Sequence, residues 1–177
     1  MKVITLAEAL PLRGVISRRI QELIQERQSV AIVEVEKGET PEPCERTFEE
    51  VSLELEQVRK DFRTLDYWMQ NFNVNTRIEW NGEDMTVTEA LELAKQLRGE
   101  IQSLKSFGNR KKTERVSRGG ILGQKTELLA IAQYDPKAIK QQAMKLERQV
   151  TRLSALIEKT NHTYTIPFDA SCYMGEE

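Results

Sequence analysis

Apolar residues in the middle of the chain step by three and four positions without a break: Phe48, Val51, Leu55, Val58, Phe62, Leu65, Met69 and Phe72. That spacing draws one narrow stripe along a helix, the seam by which a long helix meets another, held for more than three heptads. The same step returns at Val87, Ala90, Ala94, Leu97, Ile101 and Leu104, and again at Ile139, Ala143, Leu146, Val150, Leu153 and Ile157. Leu6, Leu10, Ile16, Ile20, Leu23 and Ile24 make a fourth stripe. Pro11 interrupts it, removes a backbone donor and predicts a kink, with Gly14 loosening the next turn. The expected fold is mainly α: long antiparallel helical hairpins, or a coiled-coil bundle, with a short β-hairpin and one or two short strands.

Start signals set the boundaries. Thr5 with Glu8, Thr47 with Glu50 and Thr86 with Glu89 each place a hydroxyl three residues before a glutamate, the pattern of a capping box. Asp135-Pro136 places an N-cap before a proline at the first helical position. Helices are therefore expected at about 5–28, 47–72, 86–107 and 135–160. The second would run roughly 37 Å at 1.5 Å per residue. Asn81-Gly82 predicts a hairpin over 76–86, because a type I′ turn needs positive φ at both central residues. Residues 30–35 are β-branched and read as a helix end running into a strand. Residues 127–133 and 163–168 read as further short strands, and 37–43, with two prolines and a glycine, as a connection. The stretch 108–123 is a basic, glycine-punctuated loop. The organisation expected is a single elongated helical domain over 1–177. Strict seams this long favour self-association, so a homo-oligomer is predicted.

Composition narrows the function classes. The chain has 177 residues with 31% charged and 39% hydrophobic, which suits helices that bury a stripe and solvate the rest. A formal net charge of -2 argues against a general nucleic-acid binder. The longest mostly apolar run, 29–35, falls far short of the ~20 residues of a membrane span. The first residues meet acid at Glu8 and show no signal-peptide core. Cys44 and Cys172 stand apart without CxxC spacing, as unpaired thiols do in a reducing compartment. A cytoplasmic protein without a membrane partner is expected.

Candidate chemistry is sparse. His162 is the single histidine, so neither a histidine metal cluster nor a Ser-His-Asp set assembles, and a cation at a helix C-terminus explains it. No phosphate-loop, dinucleotide or nucleophile-elbow motif occurs, and Gly119-Gly120-Ile121-Leu122-Gly123 lacks the lysine and hydroxyl of a phosphate loop. No catalytic residue, metal ligand or cofactor is assigned. Two places could bind. Arg110, Lys111, Lys112, Arg115 and Arg118 could converge on an anion, with Ser117 and the Gly119-Gly120 backbone as neutral donors. The same charges also read as a solvated loop. Asn73, Asn75, Thr76 and Arg77 crowd one corner with amide and guanidinium groups beside Tyr67 and Trp80. They could read a polar molecule, or merely close the second helix.

Several short motifs come in a recognisable order: Leu6-Ala7-Glu8-Ala9-Leu10, Arg19-Ile20-Gln21-Glu22-Leu23, Asn73 to Thr76, Gly82 with Thr86-Val87-Thr88-Glu89-Ala90-Leu91, and Arg115-Val116-Ser117-Arg118. Over roughly residues 5–160 the chain resembles the small bacterial proteins grouped as septicolysin-like. The resemblance implies a helical fold of long hairpins without an established activity, and it singles out Asn75, Thr76, Ser117 and Arg118. Pro11, Gly119-Gly120 and the tail 163–177 depart from that pattern. The leading expectation is a non-enzymatic, oligomeric helical protein that binds an anionic small molecule of the nucleotide or phosphate class through the basic loop at subunit interfaces. The alternative is a structural or adaptor protein that binds another protein along its helices. An enzyme with a metal recruited by carboxylates is the third.

Overall fold

A computed structural model describes residues 3–40, 45–116 and 128–174. In chain order these form β1 (Ile4–Thr5), α1 (Leu6–Ala31), α2 (Phe48–Asn75), β2 (Arg77–Trp80), β3 (Glu83–Thr86), α3 (Val87–Gly108), β4 (Thr113–Val116), β5 (Leu128–Ile131), α4 (Pro136–Thr163) and β6 (Thr165–Ile166). The fold is mainly α, with short antiparallel strand pairs.

Three helices begin as the threonine–glutamate spacing requires. Thr5 accepts from the Glu8 N–H at 3.2 Å while the Thr5 N–H donates to Glu8 Oε2 at 2.7 Å. Thr47 with Glu50 and Thr86 with Glu89 repeat the exchange. The backbone N–H, then the threonine hydroxyl, holds each glutamate below the usual carboxylate range. Two orphan donors are satisfied at each helix start, so these boundaries are local properties of the sequence.

The residues fall into two compact units, one running to Thr76 and resuming at Glu158, the other Arg77–Ile157. In the first, α1 and α2 pack as an antiparallel pair. Arg13 meets Asp66 at 2.5 Å and Arg19 meets Glu54 at 2.6 Å, partners that run in opposite directions along the two helices, and Arg46, just before α2, continues the series to Glu26 at 2.8 Å. Leu12, Ile16, Leu23, Val51, Leu55 and Leu65 are fully buried, and the expected α2 seam is realised from Val51 to Phe72. Phe62 lies beneath the Arg13 guanidinium at 4.9 Å. Phe48, in the first turn of α2, stays half exposed.

Two expectations for this unit need correcting. The buried stripe of α1 is Leu6, Ala9, Leu12, Ile16 and Leu23, while Leu10 is 53% exposed. Two overlapping apolar rows lie on this helix, and packing selected the one through the small Ala9. α1 runs through Pro11 as a single helix, as its boundaries implied, with the proline on its exposed side. No strand forms over 32–35: the chain turns extended at Ile32, but a strand needs a ladder partner and these residues have none. β1 pairs instead with β6, Ile4 opposite Ile166, and the chain beyond buries Phe168 and Ala170 before Tyr173 donates to Asp61 at 2.6 Å.

In the second unit β2 and β3 form the expected hairpin, with Trp80 opposite Glu83 and positive φ at Asn81 and Gly82. α3 and α4 run antiparallel. Arg98 donates to Ser154 at 2.8 Å, and seven residues further along α3, seven back along α4, Lys105 pairs with Glu147. Ala90, Ala94, Ile101, Leu104, Ala143, Val150 and Leu153 supply the buried seams. The basic stretch is not wholly a loop, as 108–123 was expected to be. Thr113–Val116 is a strand paired with Leu128–Ile131, Arg115 opposite Leu129, because the apolar β5 offers it a ladder. Residues 117–123 lie outside the described residues. Among the described residues no helix is long and apolar enough to cross a membrane.

Candidate functional site

The last turn of α3 and the first of α4 approach until backbones touch. A Cβ on Gly108 would lie 3.1 Å from the N, Cα and Cβ of Lys140, tighter than ordinary packing, so glycine allows the approach. α3 closes as the Asn109 N–H donates to Lys105 O at 3.1 Å, and the Arg110 N–H to Phe107 O at 3.2 Å. The chain then passes Lys111 and Lys112 into β4. Between this turn and α4 lies a cavity of about 590 Å³, lined by Arg110, Lys111, Lys112, Lys137 and Lys140 with Asp135, Pro136 and Gly108.

Five cations here face one carboxylate. Two groups are engaged in building the wall. Lys112 Nζ donates to the carbonyls of Ala132 at 2.7 Å and Tyr134 at 2.8 Å, fixing the approach to α4. Asp135 accepts from the Lys137 N–H at 2.9 Å and caps the helix. Among the described residues the side chains of Arg110, Lys111, Lys137 and Lys140 have no hydrogen bond or ion pair. The first turn of α4 holds no acidic residue, and Lys137 occupies its second position. Cations there oppose the positive end of the helix dipole, each by ~0.3–1 kcal/mol at low salt. Asp135 offsets only part of this cationic excess.

A smaller cavity of about 310 Å³ adjoins it, sharing Arg110 and Lys111. Its other walls are Phe107, Glu114, Gln133, Tyr134 and the apolar 130–132. Phe107 and Tyr134 meet edge to face at 5.6 Å, and the Tyr134 hydroxyl donates to Phe107 O at 3.2 Å. Glu114 accepts from the Lys111 N–H at 3.1 Å.

Of the residues picked from sequence, Arg110, Lys111 and Lys112 meet in one cavity. Arg115 lies on β4 and does not line it. Ser117 and Arg118 lie outside the described residues. The contacts of the asparagine corner are local ones. Asn75 donates to Asn71 O at 2.8 Å, and the Thr76 N–H to Phe72 O at 2.8 Å, closing α2. Arg77 pairs with Asp84 across the hairpin at 2.5 Å. Asn73 is half-buried in the last turn of α2 and lines neither cavity. Sequence reasoning missed Lys137, Lys140 and Gly108. Two lysines just after Asp135-Pro136, where acids are favoured, were the available signal.

The first unit carries a cavity of about 410 Å³ near Arg18, Arg19, Glu54, Asp61, Cys172 and Tyr173. It is charge-balanced: Arg19 and Arg46 both bind Glu54. Burial pushes the Glu54 carboxyl up, but the two guanidinium groups outweigh that and hold it below its usual range. Burial, with the bond to Asp61, raises the Tyr173 phenol well above an ordinary tyrosine. Among the described residues no cluster of His, Cys, Asp and Glu is suited to a metal ion.

No family model matches this chain, and no curated protein is significantly similar to it. Its fold is similar to the crystal structure of a functionally unknown conserved protein from Corynebacterium diphtheriae. The match spans 93% of this chain and 99% of that one, with a TM-score of 0.59 and 23% identity. At that identity the likeness concerns the fold alone.

Proposed function

We propose that this protein binds a small anion of the phosphate class in the cleft between the end of α3 and the start of α4. One observation carries the reading: four cationic side chains, without partners among the described residues, line one cavity at a helix start that holds no acid in its first turn. A bound phosphate would accept charge-assisted hydrogen bonds from Arg110, Lys137 and Lys140 and complement the α4 dipole. Lys112 acts as a positioning residue. Binding needs no chemistry from the protein, and the proposed setting is the cytoplasm. Thermal denaturation with added pyrophosphate tests the reading. The midpoint should rise with ligand concentration, and Lys137→Gln with Lys140→Gln should abolish that rise. A midpoint indifferent to orthophosphate, pyrophosphate and nucleotides alike would refute it.

A second reading, self-association, is favoured by β4 and β5. All eight residues of this ribbon are exposed, and β5 offers Leu129 at 54% and Ile131 at 56% to solvent. Two-stranded ribbons are marginal alone, and apolar edge strands seek partners. A homo-oligomer paired along β5 would cover it. Light scattering should then give a multiple of 20.4 kDa that Leu129→Lys reduces to the monomer.

A further inference from the structure

Resting on the phosphate reading, we infer that the ligand is a phosphorylated heteroaromatic compound, a nucleotide, with its phosphate in the basic cavity and its ring in the smaller one. The two cavities share Arg110 and Lys111 in their walls and differ in the chemistry of the rest. The first is cationic. The second holds only the same two cations and adds the Glu114 carboxylate, so one net positive charge lines it against four in the first, and most of its remaining wall is apolar or aromatic. A ligand spanning both would therefore carry most of its negative charge at the end in the first cavity. Glu114 also sets the direction, because it offsets part of the cationic charge in the smaller cavity and leaves the larger one the stronger site for a phosphate.

The smaller cavity further specifies a ring with polar edges. Phe107 is 43% exposed and held by its edge-to-face neighbour Tyr134, a rigid aromatic wall already in place for stacking. Gln133 donates only to Ile131 O, at 3.3 Å, which leaves its side-chain oxygen as an acceptor. An alkyl chain in this space would leave Gln133 and Glu114 facing carbon, at the desolvation penalty of unpaired polar groups. A base whose exocyclic amine donates to them avoids that. Cavities of 310 and 590 Å³ fall at the size of small-molecule sites.

Titration calorimetry on the full chain decides the matter with four probes: orthophosphate, glucose 6-phosphate, decyl phosphate and AMP. AMP should bind about tenfold or more tightly than the other three, the margin expected from one stacked base. Phe107→Ala should reduce that margin to near unity while orthophosphate binding survives, and Gln133→Ala should narrow it without disturbing α3. Equal affinity for all four phosphates would overturn the nucleotide and leave phosphate binding standing. Preference for decyl phosphate would overturn it in favour of an alkyl ligand. Failure of every probe would overturn both proposals.

Discussion

Lys137 is where stability and binding should pull in opposite directions. It sits at the second position of α4, its N–H bonded to Asp135 and its ammonium unpartnered beside Arg110, Lys111, Lys112 and Lys140. A cation at a helix start opposes the dipole by ~0.3–1 kcal/mol, and an anion gains as much. Lys137→Glu reverses the sign, so the folded protein should become more stable by about 0.6–2 kcal/mol at low ionic strength. For a chain of this size that is a rise in Tm of about 2–6 °C. Relief of repulsion among the neighbouring cations acts in the same direction. Lys137→Gln should give about half the effect, because it removes one charge without adding another. Scanning calorimetry at low salt reads the stability. The same scans near 1 M salt, where the Debye length is ~3 Å, should show most of the gain gone. Pyrophosphate should raise the midpoint of the wild type and leave that of Lys137→Glu unmoved. A Lys137→Glu protein that is less stable at low salt, yet still responds to pyrophosphate, would refute the electrostatic account of this cleft.

Gly108→Ala should destabilise the protein by about 1–3 kcal/mol, because the new methyl meets Lys140 backbone at 3.1 Å, and should weaken phosphate binding as the two helices part. Chemical denaturation and calorimetry read both effects. Pro11→Ala should stabilise it by about 2 kcal/mol: a helix-interior proline costs ~3 kcal/mol, less the ~0.4–1 kcal/mol it contributes by stiffening the unfolded chain. The side chain is exposed, so no cavity offsets the gain, and a lower urea midpoint would be the contrary result. The third concerns acid. Burial raises the Glu54 carboxyl, but Arg19 and Arg46 together depress it below its unfolded value. Its contribution is therefore complete above the unfolded pKa and lost as pH falls through the folded one. Glu54→Gln should be less stable than wild type at neutral pH, with the gap beginning to close as pH falls below the unfolded carboxyl value of about 4.3 and gone below the lower folded one, where carboxyl and amide are both neutral. A gap constant from pH 7 to pH 3 would remove the carboxylate from this role.

What could be read in the sequence was decided within a few residues. The three threonine–glutamate boxes close over four positions, and Asn81-Gly82 fixes its own turn. The α2 seam was legible because it offers one stripe, whereas α1 offers two and burial of Leu12 rather than Leu10 was settled by the partner helix. β4 was illegible for a related reason. Thr113-Glu114-Arg115-Val116 has weak strand character and pairs because Leu128–Ile131 supplies the ladder. Half of the candidate site was visible as the run Arg110-Lys111-Lys112. The other half, Lys137 and Lys140, reaches it only through the antiparallel register that Lys105–Glu147 and Arg98–Ser154 mark, and that register is tertiary.

Local rules are broken at several points in this chain, and the breaks do not carry equal information. Pro11 opposes its helix, yet it is exposed and no ligand could change what it costs. Leu129 and Ile131 oppose solvent, and a partner strand of any sequence with apolar faces would relieve them. The lysines of the α4 start differ from both. Their energetic penalty falls only when negative charge enters the cavity they line, and it falls further the more of them that charge can reach. Natural sequences tolerate such conflicts mainly where function requires them. A misfit that one class of ligand would selectively relieve supports that class, and this is the ground for proposing an anion here. The requirement for Gly108 then follows, since Lys140 reaches the turn that carries Arg110 only where the helices touch without a side chain between them.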